Sequence, residues 1–195
     1  MVGRPREFDL DLALDAAMQA FWAKGYEATS LADIMAATGL HKGSLYQAFG
    51  DKHSLFLQAL RRYLEEMRKQ EHAVVEQAPT PLDGLRAAGH GILEMADSDE
   101  KCPRGCLAVN ALVELAPHDD AVKDLMDDHM QRMRGSLEES IANAQAAGQI
   151  SKNRTPEAIA SLLMTFMAGL AATLKSGLDK EKAHQLLDAQ MEAIF

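Results

Sequence analysis

Several polar side chains follow a glycine in the first third of the chain. Residues 30–49 read SLADIMAATGLHKGSLYQAF, with Gly39 between two short stretches of helical apolar spacing. Glycine adopts a positive φ without steric cost, so Gly39 can form a tight turn between the two helices. The second helix would then present an outer face made of Lys42, Gly43, Ser44, Tyr46 and Gln47. Ammonium, hydroxyl and amide groups on a helix of this size suit the major groove of DNA.

The residues of this face offer different contacts. Lys42 can pair with a phosphate or with a guanine edge, and Gly43 lets the backbone approach DNA closely. Ser44 and Gln47 can hydrogen-bond base edges, while the Tyr46 hydroxyl can reach a phosphate. Ser44, Gln47 and Lys42 are therefore the candidates for reading sequence, because phosphate contacts position a protein without identifying bases.

Residues on either side of this face add candidate phosphate contacts. Thr29 or Ser30 caps the first of the two helices, whose N-terminal amides could also hold a phosphate. Lys52 opens the helix that follows, and His41 in the turn is either a phosphate donor or a plain turn residue. The complete set of predicted DNA contacts is Arg4, Arg6, Thr29, Ser30, His41, Lys42, Gly43, Ser44, Tyr46, Gln47 and Lys52.

Charge restricts where a polyanion could bind. The 195-residue chain carries a net charge of −9, which argues against nucleic acid as a partner of the whole surface. Residues 1–70 hold 9 Lys and Arg against 9 Asp and Glu, so the excess acid lies in the rest of the chain. Arg4 and Arg6 flank Pro5 in an N-terminal arm that is either a minor-groove contact or a solvated tail. A DNA-binding surface is therefore expected as a local patch in the first third.

Helical elements must position these residues. Apolar side chains recur every three or four positions and aromatic residues are only 5%, which predicts an all-α protein of about nine helices. The predicted helices are roughly 9–24, 31–38, 42–49, 51–77, 82–97, 103–116, 119–147, 155–175 and 180–194. Composition excludes collagen-like, disulfide-scaffold and disordered proteins. No apolar run approaches the roughly 20 residues of a membrane span, so a cytoplasmic protein without a membrane partner is expected.

The residues around the glycine turn resemble a known family. Residues 20–56 are similar to the N-terminal domain of TetR-family transcriptional regulators. The positions that match the family pattern are Gly25, Tyr26, Thr29, Ser30, Ile34, Gly39, Lys42, Gly43, Ser44, Leu45, Tyr46, Phe49, Lys52, Leu55 and Phe56. Gln47 departs from the pattern, since many members carry His there, so the operator sequence of a relative is not transferable. A weaker resemblance covers residues 104–117 (RGCLAVNALVELAP), which look like the Gly-Cys-Leu segment of one broad subgroup.

The resemblance implies two functional domains along the chain. It implies a helix-turn-helix DNA-binding domain at 1–51, a connecting helix at about 51–77, and a ligand-binding and dimerisation domain at 78–195. The expected protein is a homodimeric transcriptional repressor that binds a palindromic operator and is released by a small apolar or aromatic effector. No catalytic residue, metal ion or cofactor is expected.

The C-terminal two-thirds supply candidates for a pocket and a dimer interface. Methionine suits adaptable apolar surfaces, although ordinary core filling explains any single methionine equally well. The predicted pocket residues are Met95, Cys106, Met126, Met130, Met133, Met164 and Met167. Residues 158–174 are apolar almost all round, which is typical of a helix packed on two sides, either within one chain or against a second copy. The predicted interface residues are Ala168, Gly169, Ala172, Leu186, Leu187 and Met191.

Two other functions stay open at this point. Cys106 lies near a predicted helix N-terminus and close to Arg104, which favours a reactive thiolate and a redox or electrophile sensor, whereas burial would make the thiol inert. A C-terminal cavity could also serve an all-α enzyme or carrier. An enzyme, however, gives no reason to expose Lys42, Tyr46 and Gln47 on one helix face.

Overall fold

The computed structural model describes residues 9–96 and 104–195 of the chain. Within those ranges the structure is all-α, as predicted, and contains nine helices without a strand. The helices are α1 (Leu10–Lys24), α2 (Leu31–Thr38), α3 (Lys42–Phe49), α4 (Lys52–Gln77), α5 (Pro81–Ala96), α6 (Leu107–Glu114), α7 (Asp120–Ala146), α8 (Pro156–Lys175) and α9 (Lys180–Ile194).

Local capping fixes the ends of the first three helices. The Asp9 carboxylate accepts the backbone N–H groups of residues 11 and 12 and starts α1. Ser30 and Asp33 form a complete capping box at the start of α2, although the Asp side chain is shorter than the usual Glu. Gly39 ends α2 in the left-handed region, with a φ of 69°, and only Gly39, Leu40 and His41 separate α2 from α3.

A first core cluster joins the N-terminal helices to the middle of the chain. Ile34, Leu45 and Phe49 are buried where α2 and α3 pack together and onto α1 and α4. The rings of Phe21 and Phe56 meet edge to face, with centroids 5.2 Å apart. Helix α6 contributes to the same cluster, so the helix-turn-helix and the central helices share one core.

A second core cluster lies among α5, α7, α8 and α9. Helix α8 is long and apolar enough to cross a membrane by length and composition alone. Its residues Ile159, Leu163 and Leu170 are nevertheless buried in this cluster, against side chains of α7 and α9. One side of α8 is therefore packed within the helical domain, while its other side, which includes Leu162 and Gly169, is exposed.

Helix α6 begins later than its sequence predicts. We expected a helix over 103–116, but the described helix begins at Leu107 and ends at Glu114. Gly105 has a φ of +62°, which is incompatible with a right-handed helix. A Cβ at this position would lie 2.9 Å from the backbone oxygen of Ala171, so the residue-105 backbone passes close to α8.

Candidate nucleic-acid interface

One face of α3 is turned toward solvent. Leu45 and Phe49 are buried against the first core cluster, and this burial orients the helix. The opposite face carries His41, Lys42, Gly43, Tyr46 and Gln47, all exposed, with Ser44 half-buried beside them. The structure therefore brings together the side chains that the sequence predicted for groove contact.

Gly43 has no packing reason to be glycine. It is the second residue of α3, and glycine has a lower helix propensity than alanine. A Cβ at this position would meet no atom within 4 Å. The residue is therefore permissive for close approach of a large partner to the α3 backbone, as expected of a helix that enters the major groove.

The two lysines of this surface rest on tyrosine rings. Lys42 Nζ lies 5.4 Å from the ring centroid of Tyr46, and Lys52 Nζ lies 4.3 Å from that of Tyr26. In the described part of the chain neither ammonium forms an ion pair with a carboxylate. Both cations are therefore held in place while their charge stays available to a phosphate.

The start of α2 corrects one predicted contact. We expected Thr29 or Ser30 as the cap, and the cap is Ser30. Thr29 is fully buried and its hydroxyl donates to the Gly25 carbonyl at 2.5 Å, so it cannot contact DNA. The Ser30 hydroxyl is engaged with Asp33, which leaves the backbone N–H groups of residues 31 and 32 for an anion.

Asp33 is itself held as a carboxylate. Its hydrogen bonds with the Lys24 ammonium, at 2.6 Å, and with Ser30 lower its pKa far below the usual value. Because Lys24 is paired with Asp33, we do not count it among the residues that contact DNA phosphates. Of the N-terminal arm predicted to contact DNA, Arg4 and Arg6 lie outside the described residues.

Comparison with known proteins decides the family. Residues 13–59 match the family described as "Bacterial regulatory proteins, tetR family". Residues 81–190, more than half of the chain, match "Tetracyclin repressor-like, C-terminal domain". The chain belongs to the TetR family of transcriptional regulators.

Relatives of this TetR-family protein extend over almost the whole chain. The HTH-type transcriptional repressor ComR of Escherichia coli K12 is 29% identical over 184 residues, covering 94% of this chain and 88% of ComR. The repressor DhaR of Mycobacterium sp. GP1 is 26% identical and covers 91% of this chain and 87% of DhaR. A cysteine-substituted form of the TetR-family regulator CifR, solved with a 26-base-pair operator duplex, is 31% identical with a TM-score of 0.85. That alignment covers 99% of this chain and 100% of CifR.

The C-terminal part of this TetR-family protein contains a cavity among α4, α5 and α7. Its volume is about 900 Å³, within the range of ligand pockets. Met95 and Met133 line it, together with Leu64, Met67 and Ile92. A smaller cavity of about 50 Å³ adjoins it and is lined by Met133, Met164 and Met167. Four of the predicted pocket methionines thus lie on a cavity wall.

The other predicted pocket residues lie elsewhere. Cys106 and Met126 are buried in the first core cluster and line neither of these cavities. The Tyr63 hydroxyl donates to Cys106 Sγ at 3.5 Å, and burial raises the pKa of Tyr63 well above its usual value. The prediction of Cys106 as a pocket residue was therefore wrong: Cys106 does precede α6, as expected, but its side chain is buried against Tyr63 of α4. Met130 is half-buried and lines neither cavity either.

The predicted interface residues divide into two groups. Leu187 and Met191 pack on α5, where a Cβ at Gly89 would lie 3.1 and 3.0 Å from their side chains. Both are buried within one chain, so their assignment to a dimer interface was wrong. Gly169, Ala172 and Leu186 are exposed on α8 and α9, and Ala168 is half-buried beside them. The exposed Leu162 of α8 adds to this group, and sequence periodicity alone did not single it out.

The sequence did not reveal how the two parts of the chain are connected. The Glu114 carboxylate at the end of α6 accepts the backbone N–H groups of Tyr26 and Glu27, at 3.2 and 2.9 Å. His53 Nε2 lies 2.6 Å from a carboxylate oxygen of Asp119. These pairs are 66 to 88 residues apart in sequence, and no local pattern identifies them.

Proposed function

We propose that this TetR-family protein is a homodimeric repressor that binds a palindromic operator through α3. The observation that carries the proposal is the exposed α3 face, on which Lys42 is unpaired and Gly43 has open space around its Cα. Ser44 and Gln47 read bases, while Lys42, Tyr46 and Lys52 contact phosphates. The free amides at the start of α2 add an anion site.

The two regions of family similarity support two functional units. Residues 1–51 form the DNA-reading unit and residues 78–195 the sensing and dimerising unit, with α4 shared between them. The dimer face consists of the exposed residues of α8 and α9, chiefly Leu162, Gly169 and Leu186. A Cβ at Gly169 would meet no atom within 4 Å, so its own chain gives no reason for glycine there. This space allows close approach of a second α8, since small residues let helices pack closely.

The effector site is the larger cavity. Its wall combines the apolar side chains of Met67, Ile92 and Met95, which suit an apolar or aromatic group, with charged side chains that include Glu71 and Arg132. An effector there would favour a conformer in which the two α3 helices of the dimer no longer fit successive major grooves. The names of the relatives, all regulators, support this function over an all-α enzyme or carrier.

DNA binding with a scrambled control tests the proposal. The probe is the duplex upstream of the gene that encodes this chain, titrated by fluorescence anisotropy at physiological salt. The expected result is saturable binding of a dimer at an affinity at least about 10³-fold above that for scrambled DNA of equal length. Equal affinity for both duplexes would contradict the proposal.

A further inference from the structure

Both ends of helix α6 are joined by hydrogen bonds to the DNA-reading unit. At its start, the indole N–H of Trp22 donates to the Gly105 carbonyl at 2.8 Å. At its end, each carboxylate oxygen of Glu114 accepts one backbone N–H of the α1–α2 connection, from Tyr26 and from Glu27. The connection between α1 and α2 is therefore bound to a helix of the sensing unit.

The position of Glu114 is unfavourable for α6 itself. A carboxylate in the last turn of a helix opposes the helix dipole, and α6 has no basic residue there to compensate. The two backbone N–H groups of the α1–α2 connection offset that cost. Gly25 permits the contact, because a Cβ there would lie 2.9 Å from Glu114 Oε2. Glu114 thus stabilises the DNA-reading unit rather than its own helix.

The same connection carries a DNA-contacting cation. Tyr26, whose N–H is held by Glu114, places its ring 4.3 Å from Lys52 Nζ. The ring is packed edge to face on Phe56 and lies near His53, whose imidazole pairs with Asp119 beyond the end of α6. Glu114 and Asp119 therefore flank the α6–α7 connection and both contact the surroundings of this ring.

We propose that Glu114 is a positioning residue for operator binding, which fixes the Tyr26 ring and thereby places the Lys52 ammonium on a DNA phosphate. The inference rests on the proposed operator binding. It gives one residue of the sensing unit an influence, through Tyr26, on a phosphate contact of the DNA-reading unit. Movement of α6 away from the α1–α2 connection would release that phosphate contact.

The salt dependence of DNA binding distinguishes positioning from simple stabilisation. Each phosphate contact adds about 0.9 to the slope of log affinity against log salt. Glu114→Gln keeps the shape but leaves one N–H of the pair without an acceptor. We expect it to weaken binding to the upstream duplex on the order of tenfold and to reduce the slope by about one unit. Lys52→Ala should reduce the slope equally, and the double variant should reduce it no further.

Glu139→Gln is the matched control. Glu139 is exposed on α7 and forms no hydrogen bond or ion pair with any described residue, so the same loss of charge should leave affinity and slope at the parental values. Emission of Trp22, the single tryptophan, and the melting temperature show whether the variants fold as the parent does. If Glu114→Gln fails to fold, Glu114→Asp replaces it, because the shorter side chain keeps the charge but cannot reach both amides.

Two outcomes would overturn the inference. One is a folded Glu114 variant with parental affinity, and the other is a weaker variant that keeps the parental salt slope. Absence of preferential binding by the parent itself would instead contradict the proposed function, so the two failures are distinguishable.

Discussion

The indole N–H of Trp22 donates to the carbonyl oxygen of Gly105 across 83 residues of sequence, at 2.8 Å. Trp22 lies in α1 of the proposed DNA-reading unit, and Gly105 precedes α6 of the proposed sensing unit. The bond is buried, and the Trp22 ring also packs edge to face on Tyr63, with centroids 4.9 Å apart. The single tryptophan of the chain therefore lies at the junction of the two units.

Removing this hydrogen bond should destabilise the whole protein. Trp22→Phe keeps an aromatic ring but leaves the buried Gly105 carbonyl without its donor. We expect the free energy of unfolding to fall by about 1–3 kcal/mol, measured by urea denaturation with circular dichroism as the probe. Tyr46→Phe, which removes a hydroxyl at a 43% exposed residue, should change it by less than about 0.5 kcal/mol. Equal stabilities of the two variants would show that water replaces the indole at Gly105.

Substitution of a base-reading residue and of a phosphate-contacting residue should change DNA binding in different ways. Gln47→Ala should change which base is preferred at one position of each half-site, because its amide is exposed on the proposed DNA-binding face of α3. Lys52→Ala should weaken binding to all sequences alike, because a phosphate contact carries no sequence information. Selection from a randomised operator library measures both effects. An unchanged preferred operator with Gln47→Ala would show that another face of α3 reads the bases.

Local signals predicted the helix-turn-helix well. The Ser30–Asp33 pair and Gly39 lie within a few residues of the backbone groups they cap, so the sequence alone places the ends of α2. Thr29 was predicted less well. The local sequence does not show whether its hydroxyl is exposed or, as in the structure, buried and bonded to the Gly25 carbonyl. Its burial depends on the packing of α1, which no motif encodes.

Apolar periodicity predicted the C-terminal helices but not their partners. Leu186 and Leu187 are neighbours with the same chemistry, yet one is exposed and the other packs at Gly89 of α5. Apolar periodicity shows that a helix has an apolar face. It does not show whether that face packs against the same chain. The contact of Glu114 with the α1–α2 connection is equally invisible, since it joins groups 87 and 88 residues apart.

A charge on the exposed face of α8 should separate the proposed dimer. Gly169→Glu would bury an unpaired carboxylate between two copies of the chain, at a cost of several kcal/mol. We expect a monomer by light scattering and loss of operator binding. Gly135→Glu is the matched control, because Gly135 is also exposed within a helix and has no atom within 4 Å of a Cβ. A Gly169→Glu variant that stays dimeric would place the interface elsewhere.

His129 of α7, which also lines the larger cavity, should make stability depend on pH. Burial lowers the pKa of His129 below its usual value of 6.5 and outweighs the opposing effect of Asp128. Below about pH 6.5 the unfolded chain therefore binds a proton that the folded chain resists, and stability falls as pH decreases. His129→Gln removes this contribution. The drop in melting temperature between about pH 7.5 and about pH 5.5 should be smaller in the variant than in the parent, and an equal drop would contradict the expectation.

A methyl group at residue 105 should be far more damaging than the same group at another glycine of similar conformation. Gly105 and Gly148 have φ values of +62° and +73°, so alanine is strained by roughly 1 kcal/mol at either position. At Gly148 the Cβ meets nothing within 4 Å.

At Gly105 the Cβ would lie 2.9 Å from the Ala171 backbone oxygen and 2.9 Å from Lys175 Cβ. Neither atom is the free end of a flexible side chain, so the residue-105 backbone must move away from α8. We expect Gly105→Ala to lower the free energy of unfolding by about 1–3 kcal/mol more than Gly148→Ala, because overpacking adds to strain. The same movement pulls the residue-105 carbonyl from Trp22, so tryptophan emission should change in the first variant only. Equal destabilisation with unchanged emission would mean that α8 yields at this contact instead.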